Sequence, residues 1–406
     1  MLESNAMSES KAALKEFQTE VRAWMKEHVP APPTFLLPLS FLEVGTEQQL
    51  DFLREWQHKV WSAGYLGMHW PKAYGGQGAD PAYQGIVDRE LGAANAPIMF
   101  NTIGLGWVGP LLLEMGTEDE KAKYLKAILS GEEIWCQGFS EPDHGSDLGA
   151  VQTRAVRDGD EYVINGSKIW TTMGNYADHM ILLARTDPTA ERKYDGLSFF
   201  LSPMKIPGVD AVPIRKVTGE YGFNQVFFTD ARIPASTLML EEGKGWQVAM
   251  KTLEYERGVQ AGQGTSHWAV SIQIDDLIDD LRGFERDGEP LFQDPSVRDQ
   301  AVTLIMEAKA LALSQRRMRL PGLTSDFPMG LPLSSKYRGT EWARRMKLFG
   351  TAMQGASSSL YMGDGDAYRG GFWQRAYFSN FGMTIGGGTT QVQANIIAEH
   401  VLGLPK

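Results

Sequence analysis

The sequence predicts an α+β protein laid out in three successive blocks: helical, then antiparallel β, then helical again. Three observations carry this. Apolar residues recur at helical spacing through the first third; short runs of β-formers separated by Asp-Gly, Asn-Gly and Pro fill the middle; helical spacing returns after Gly243-Lys244-Gly245. The blocks are segregated rather than alternating, which excludes a parallel-sheet fold of βαβ units. A chain of 406 residues is also long enough for several domains.

In order along the chain, Phe17, Val21, Trp24 and Met25 form the first one-face helical stripe. A Pro-rich loop (Pro30, Pro32, Pro33, Pro38) precedes a second stripe, Leu50, Leu53, Trp56 and Val60. The stretch PKAYGGQG, residues 71–78, is a turn-rich break. From about Gly138 short strands are expected at Val151–Val156, Tyr162–Ile164 and Lys168–Trp170, with hairpin turns at Asp158-Gly159 and Asn165-Gly166. Further strands are expected at His179–Arg185, Leu197–Leu201 and Gln225–Phe228, with Pro188, Pro203, Pro207, Pro213 and Pro234 separating or ending them. The last block opens with Trp246, Met250 and Leu253. Its clearest amphipathic stripe is Val297, Ala301, Leu304, Ile305, Ala308, Leu311 and Ala312, and another is Trp342, Met346, Phe349 and Met353.

Composition narrows the function classes. Lys+Arg 39 against Asp+Glu 50 gives a net charge of −11, which argues against binding a nucleic-acid backbone. Hydrophobic residues at 43% and charged residues at 22% are ordinary for a globular chain. No run approaches the roughly 18 apolar residues of a membrane span, and the N-terminus has neither a secretory core nor an Arg-rich transit character, so a cytoplasmic protein is expected. Cys136 stands alone, which excludes an internal disulfide framework and Cys-rich zinc sites. Neither HExxH nor GxSxG occurs, and the seven histidines are scattered, so no metal site is expected. Gly104-Leu105-Gly106-Trp107-Val108-Gly109 is a literal GxGxxG, but it lies in helical surroundings with Pro110 directly after it. A close-packed helix or helix break is the expectation there, not a dinucleotide site.

The stretch from Trp135 to Thr172 is the most informative. It begins WCQGFSEPDHGSDLGA and ends INGSKIWTT. Read physically, Ser140-Glu141-Pro142 and Gly145-Ser146-Asp147 make a turn of small residues whose backbone can approach a phosphate or a flat ring. A capped helix-to-strand connection uses the same residue types. The surrounding sequence separates the two readings. With WPKAYGG before it and NQVFFTDARIP, EEGKGW and GTTQVQANIIAEHVLGLP after it, the stretch resembles the acyl-CoA dehydrogenase family over almost the whole chain.

The resemblance implies an N-terminal helical domain over 7–135, a middle antiparallel β-barrel over 136–242 and a C-terminal four-helix bundle over 243–406. It implies FAD between barrel and bundle. Gln137, Phe139 and Ser140 would line the isoalloxazine, with Gly145 and Ser146 at the pyrophosphate or the substrate mouth. Trp170 would cover the ring, the Thr172 hydroxyl would reach flavin N5, and Thr389 and Gln391 would belong to a C-terminal cofactor-contacting run. Without the resemblance, Trp170 reads as a strand aromatic packed in a core.

The family reaction is α,β-dehydrogenation of an acyl-CoA thioester. One carboxylate removes the α-proton, flavin N5 accepts hydride, and donors hold the carbonyl oxygen. Most members carry the base directly before a C-terminal G-T/S motif, a position held here by Gly387, whose backbone N–H could still bind the carbonyl. A smaller branch, with isovaleryl-CoA and long-chain acyl-CoA dehydrogenases in it, carries the base on the first helix of the bundle before an Arg. That position is Glu256, followed by Arg257, which would orient the base or meet the acyl-CoA. Glu254 lies about 200° round the helix and cannot share its direction.

Two family patterns are not recognisable, one around Glu285–Phe292 and one around Leu360–Asp364. Their loss leaves open a catalytically silent or half-site subunit of a heteromer, and a same-fold oxidase or monooxygenase is the other alternative. A dimer or tetramer, homo- or hetero-oligomeric, and an electron-transfer flavoprotein as acceptor are the implied partners. The Gly386–Gly388 run frees volume, which points to a branched or bulky acyl group.

Overall fold

The fold is taken from a computed structural model, which describes residues 2–256, 267, 269–270, 272–286, 288–318, 320 and 330–405, with side chains from residue 11 onward. These residues fall into two compact units, one of residues 2–256 with 267, 269 and 270, the other of 272–405.

In the first unit, helices α1 (Leu2–His28), α2 (Glu47–Ser62), α3 (Pro81–Ala93), α4 (Gly109–Met115) and α5 (Glu118–Ser130) precede strands β1 (Trp135–Gly138), β2 (Arg154–Asp158), β3 (Glu161–Thr172), β4 (His179–Arg185), β5 (Leu197–Pro203), β6 (Val209–Ile214) and β7 (Phe223–Pro234). Helix α6 (Gly245–Glu256) closes this unit. The second unit carries α7 (Ile274–Gly283), α8 (Pro295–Met318), α9 (Gly330–Ala352), α10 (Phe372–Ile385) and α11 (Thr390–Ile396), with a small hairpin of β8 (Glu285–Arg286) and β9 (Glu289–Pro290). No helix among the described residues is long and apolar enough to cross a membrane.

The apolar stripes do the packing their spacing announces. Val21 and Met25 on α1 and Trp56 and Val60 on α2 are buried in one core. That core continues onto one face of the sheet through Trp135, Phe139, Ile181, Leu183, Phe199 and Leu201. Residues of opposite parity, Cys136, Met180, Leu182, Ala184 and Phe200, fill a second core behind it. Buried on both faces, β4 therefore reads as an unbroken apolar run. In α8, Val297, Ala301 and Leu304 are buried, whereas Leu311 is half-buried and Ala312 exposed, so the stripe is used mainly in its first half.

The seven strands form one curled sheet in the order β1-β4-β2-β3-β7-β6, with β5 on β4. The antiparallel expectation holds for β2–β3, β3–β7, β4–β5 and β6–β7, but β1 and β2 each pair with β4 in parallel. A parallel neighbour needs a long connection, and here the 148–150 turn and the β2–β3 hairpin supply it without a βαβ unit. Pro213 sits inside β6 rather than between strands. It is tolerated because β6 ends the strand order and has one free edge.

The pair Asn165-Gly166 departs from expectation. Asp158-Gly159 makes its hairpin, with Gly159 at φ 66°, but β3 runs straight through Asn165-Gly166 as a bulge in its pairing with β7. The Asn165 amide donates to Asp230 Oδ1 at 3.0 Å and its oxygen accepts the Asp230 N–H at 3.0 Å, so the side chain bonds across the ladder instead of closing a turn. Gly166 has φ 144°, and an added Cβ would lie 2.6 Å from Thr153 Oγ1. Gly166→Ala is expected to cost about 2 kcal/mol or more in thermal or urea unfolding. An unchanged midpoint would rule out that constraint.

Candidate functional site

Four segments of the first unit position the expected cofactor contacts. Strand β1 carries Gln137, the turn after it carries Phe139 to Ser146, β3 carries Trp170 and Thr172, and α6 carries Glu256.

Lys168, on β3, ties that strand to the turn. Its Nζ donates to the Phe139 carbonyl at 3.0 Å and to Glu141 Oε1 at 2.8 Å, and the Lys168 and Glu141 side chains are 0% and 6% exposed. Glu141 also accepts the backbone N–H groups of Gln152 at 2.6 Å and Thr153 at 2.8 Å. The Ile169 N–H donates to the Ser140 carbonyl at 2.9 Å, and Glu141 and His144 exchange backbone bonds at 3.1 Å. The turn is thus fixed at its base by a buried ion pair, leaving Gly145 and Ser146 exposed at its tip.

Burial alone would raise the Glu141 carboxyl, but the Lys168 ammonium and the hydrogen bonds from Lys168, Thr153 and Gln152 hold it below its ordinary 4.5. Burial lowers Lys168 to about 8 against the pull of Glu141, so both charges persist at neutral pH. Because the folded Glu141 value is depressed, the unfolded chain binds more protons around pH 4.5. The pair's stabilisation is therefore present above pH 4.5 and lost as pH falls through the lower folded value. The melting temperature of the apoprotein is expected to fall more steeply on acidification below pH 4.5 than that of Glu141→Gln/Lys168→Met. Parallel acid slopes in the two proteins would contradict it.

Trp170 is not packed in the core. The pairing of β3 with β7 slips between Lys168 and Thr171, which shifts the alternation by one residue. Lys168 and Thr171 point inward, at 0% exposure, and Trp170 stands 56% exposed at φ 61°, with its ring edge-on to Phe223 at 6.0 Å. A bulky residue in the left-handed region on an open face is strained, and its edge-on contact with Phe223 is the one ring contact within the chain, among the described residues, set against that strain. Thr172 follows it, buried at the end of the strand.

The residues present suit a flat, polar-edged cofactor. Gln137 Oε1 is buried with no hydrogen-bond partner among the described residues, which leaves an acceptor for a ligand donor. A Cβ on Gly145 would meet nothing of this chain within 4 Å, so its lack of a side chain answers no internal crowding. Phe139 is 3% exposed and packs edge-on against Phe199 at 5.8 Å.

Glu256 is the last residue of α6 and is half-buried. The start of the helix is pinned to β5, where Gly243 N–H donates to Ser198 Oγ at 3.0 Å and a Cβ on Gly245 would lie 2.4 Å from the Ser198 backbone. Its end is held by Tyr255, whose hydroxyl donates to Glu114 on α4, itself paired with Lys251 at 2.7 Å. Burial and then Glu114 push the Tyr255 phenol well above its ordinary value, so it remains a donor. Glu254, turned away, pairs with Lys251 at 3.3 Å and is 41% exposed. Arg257 lies outside the described residues.

In the second unit, Gly386, Gly387 and Gly388 link α10 to α11, with Gly387 and Gly388 at φ 65° and 89°. The Gln393 amide donates to the Gly387 carbonyl at 2.8 Å, and Lys336 Nζ donates to the Gly388 carbonyl at 2.6 Å. Thr389 caps α11 by accepting the Val392 N–H at 3.1 Å, and Gln391 is exposed.

Sequence reasoning missed Glu141, Lys168, Glu114 and Tyr255. A signal existed for Lys168, which occupies an inward position in the alternation Tyr162, Ile164, Lys168 of β3.

The models "Acyl-CoA dehydrogenase, N-terminal domain", "Acyl-CoA dehydrogenase, middle domain" and "Acyl-CoA dehydrogenase, C-terminal domain" match residues 11–132, 136–231 and 243–402. The acyl-CoA dehydrogenase IpdE1 of Mycobacterium tuberculosis is 34% identical over 395 residues, covering 97% of this chain and 98% of the relative. Among solved structures, the Tcur3481-Tcur3483 steroid ACAD is 31% identical with a TM-score of 0.78, covering 97% of this chain and 98% of that one. The ChsE4-ChsE5 complex from Mycobacterium tuberculosis is 26% identical with a TM-score of 0.76, at 97% and 98% coverage. The chain belongs to the acyl-CoA dehydrogenase family of flavoprotein oxidoreductases.

Proposed function

We propose that the chain desaturates a bulky, ring-bearing acyl-CoA thioester between its α- and β-carbons, with Glu256 as the α-proton base and FAD as cofactor. The observation that carries this reading is the placement of Glu256, half-buried as the last residue of a helix end held by Tyr255 and Glu114. Partial removal from water weakens the ionised form of a carboxylate and makes it a better proton acceptor toward a carbon acid. When bound, FAD supplies the acceptor for the hydride of the β-carbon.

The chain's own residues hold and cover that cofactor. Gln137 offers its orphaned acceptor, Ser140 and the open tip at Gly145 and Ser146 admit close approach, and the Trp170 face shields one side, with Thr172 beside it. Thr389 and Gln391 are the second unit's proposed cofactor contacts, and the Gly387 N–H its proposed donor to the thioester carbonyl. Arg257 is proposed for the acyl-CoA.

A ring-bearing acyl group is supported by the absence of a side chain at Gly387, where most of the family carries an acid, and by the steroid ACAD among the similar structures. Ranking kcat/KM over a panel of acyl-CoA thioesters under anaerobic conditions tests it. Ring-bearing acyl groups are expected to lead, and a clear preference for short unbranched chains would overturn the substrate class. An electron-transfer flavoprotein is the proposed acceptor; rapid peroxide formation without an added acceptor would favour an oxidase instead.

Assembly with a second, unlike chain is the partner reading, and two similar structures are pairs of named chains. Val302, Met306 and Leu313 on α8 support it, being 51%, 66% and 62% exposed. Light scattering of the purified chain tests it: a stable dimer or tetramer formed by the chain alone would count against the need for an unlike partner.

A further inference from the structure

We infer that the buried Glu141–Lys168 pair is a positioning device for the flavin-facing surface, setting the spacing between the turn after β1 and the bulged end of β3. The inference rests on the flavoprotein reading above and goes beyond it, because neither side chain belongs to the proposed cofactor contacts.

The geometry has three parts. Lys168 lies two residues before Trp170 and is the last paired residue of β3 before the register slip that turns Trp170 outward. Its ammonium bridges to the Phe139 carbonyl at 3.0 Å and to Glu141 at 2.8 Å, the residues on either side of Ser140. Glu141 in turn takes the N–H groups of Gln152 and Thr153, which fixes the far end of the turn whose tip is Gly145-Ser146. One ion pair thus reaches both segments that would border the cofactor, and among the described residues nothing else so short joins them except the Ile169–Ser140 backbone bond.

Chemistry favours a positional role over a stabilising one. A buried pair contributes little net stability compared with apolar residues of similar size, yet its directional bonds define one geometry. Removing one partner strands a buried charge, so single deletions confound folding with function. The paired, charge-neutral change Glu141→Gln/Lys168→Met removes both charges at once.

The test uses the full chain reconstituted with FAD, the parent measured first. The readouts are melting of the apoprotein, FAD dissociation constant by fluorescence quenching, and the visible absorption band and midpoint potential of the bound flavin. Expected for the double variant are a melting temperature close to the parent's, an FAD dissociation constant raised at least tenfold, and a displaced band and potential. A folded double variant with parental affinity, band and potential overturns the proposal. If the double variant does not fold, Glu141→Asp decides: it keeps the charge but withdraws the carboxylate by one methylene. A shifted band in it supports the proposal, and a parental band with parental affinity overturns it. A parent chain that takes up no FAD overturns the flavin reading together with the pair, and is recognised before any variant is made.

Discussion

Glu256→Gln is expected to lower kcat for thioester desaturation by about 10²- to 10⁴-fold, the usual range for removing a general base, while FAD uptake and thioester affinity stay close to the parent's. Glutamine keeps the shape and one acceptor oxygen at the end of α6, so the helix end held by Tyr255 and Glu114 is not disturbed. A loss confined to kcat is the signature of an interaction made only in the transition state. Anaerobic rapid mixing with a ring-bearing acyl-CoA, followed at the flavin absorption band, measures the chemical step directly. The control is Glu254→Gln, which removes a carboxylate already paired with Lys251 at 3.3 Å and 41% exposed. It is expected to change the rate by less than threefold, in line with the small worth of an exposed ion pair. Parental rates in Glu256→Gln would remove Glu256 as the base.

What could be foreseen followed from how strongly each segment's pattern was tied to its burial. Strand β4 was legible residue for residue because both of its faces are buried and its apolar run is unbroken. The stripes of α1 and α2 were legible because each helix buries one face. Strand β1, only four residues long, gave too short a pattern to be separated from its flanks, and β6 was hidden by Pro213 and a half-exposed alternation. Asn165-Gly166 misled because the dipeptide favours any left-handed or unusual backbone step. Only the cross-strand bonds to Asp230 show that the step is a bulge. The positions expected to border the cofactor were named from motif resemblance, but their orientation was not legible. Whether Trp170 faces the core or the open side depends on one slipped register, a relation between β3 and β7 with no local signature. The same holds for Glu141 and Lys168, 27 residues apart, whose pairing exists only once β3 lies beside the turn.

That orientation underlies the other large effect expected. Trp170→Gly is expected to leave the apoprotein's melting temperature within a few degrees of the parent's while weakening FAD binding about 5- to 150-fold. The two halves have separate origins. Holding a bulky residue at φ 61° costs roughly 1–2 kcal/mol, which glycine escapes. Glycine's greater freedom in the unfolded chain costs roughly 0.5–1 kcal/mol, and loss of the edge-on contact with Phe223 roughly 0.5–1.5 kcal/mol more. These contributions nearly cancel, and with the ring 56% exposed, little core packing is lost. Cofactor binding has no such compensation, since removing an aromatic platform from a stacked ring costs about 1–3 kcal/mol. Trp170→Phe separates ring from strain, because it retains an aromatic face and keeps the left-handed backbone occupied by a bulky side chain. It is expected to recover most of the FAD affinity with no gain in apoprotein stability. Calorimetric melting of the apoproteins and fluorescence titration with FAD give the two numbers independently. A glycine variant that melts far below the parent would show that Trp170 holds the fold, and one that binds FAD as the parent does would show that the exposed ring faces something else.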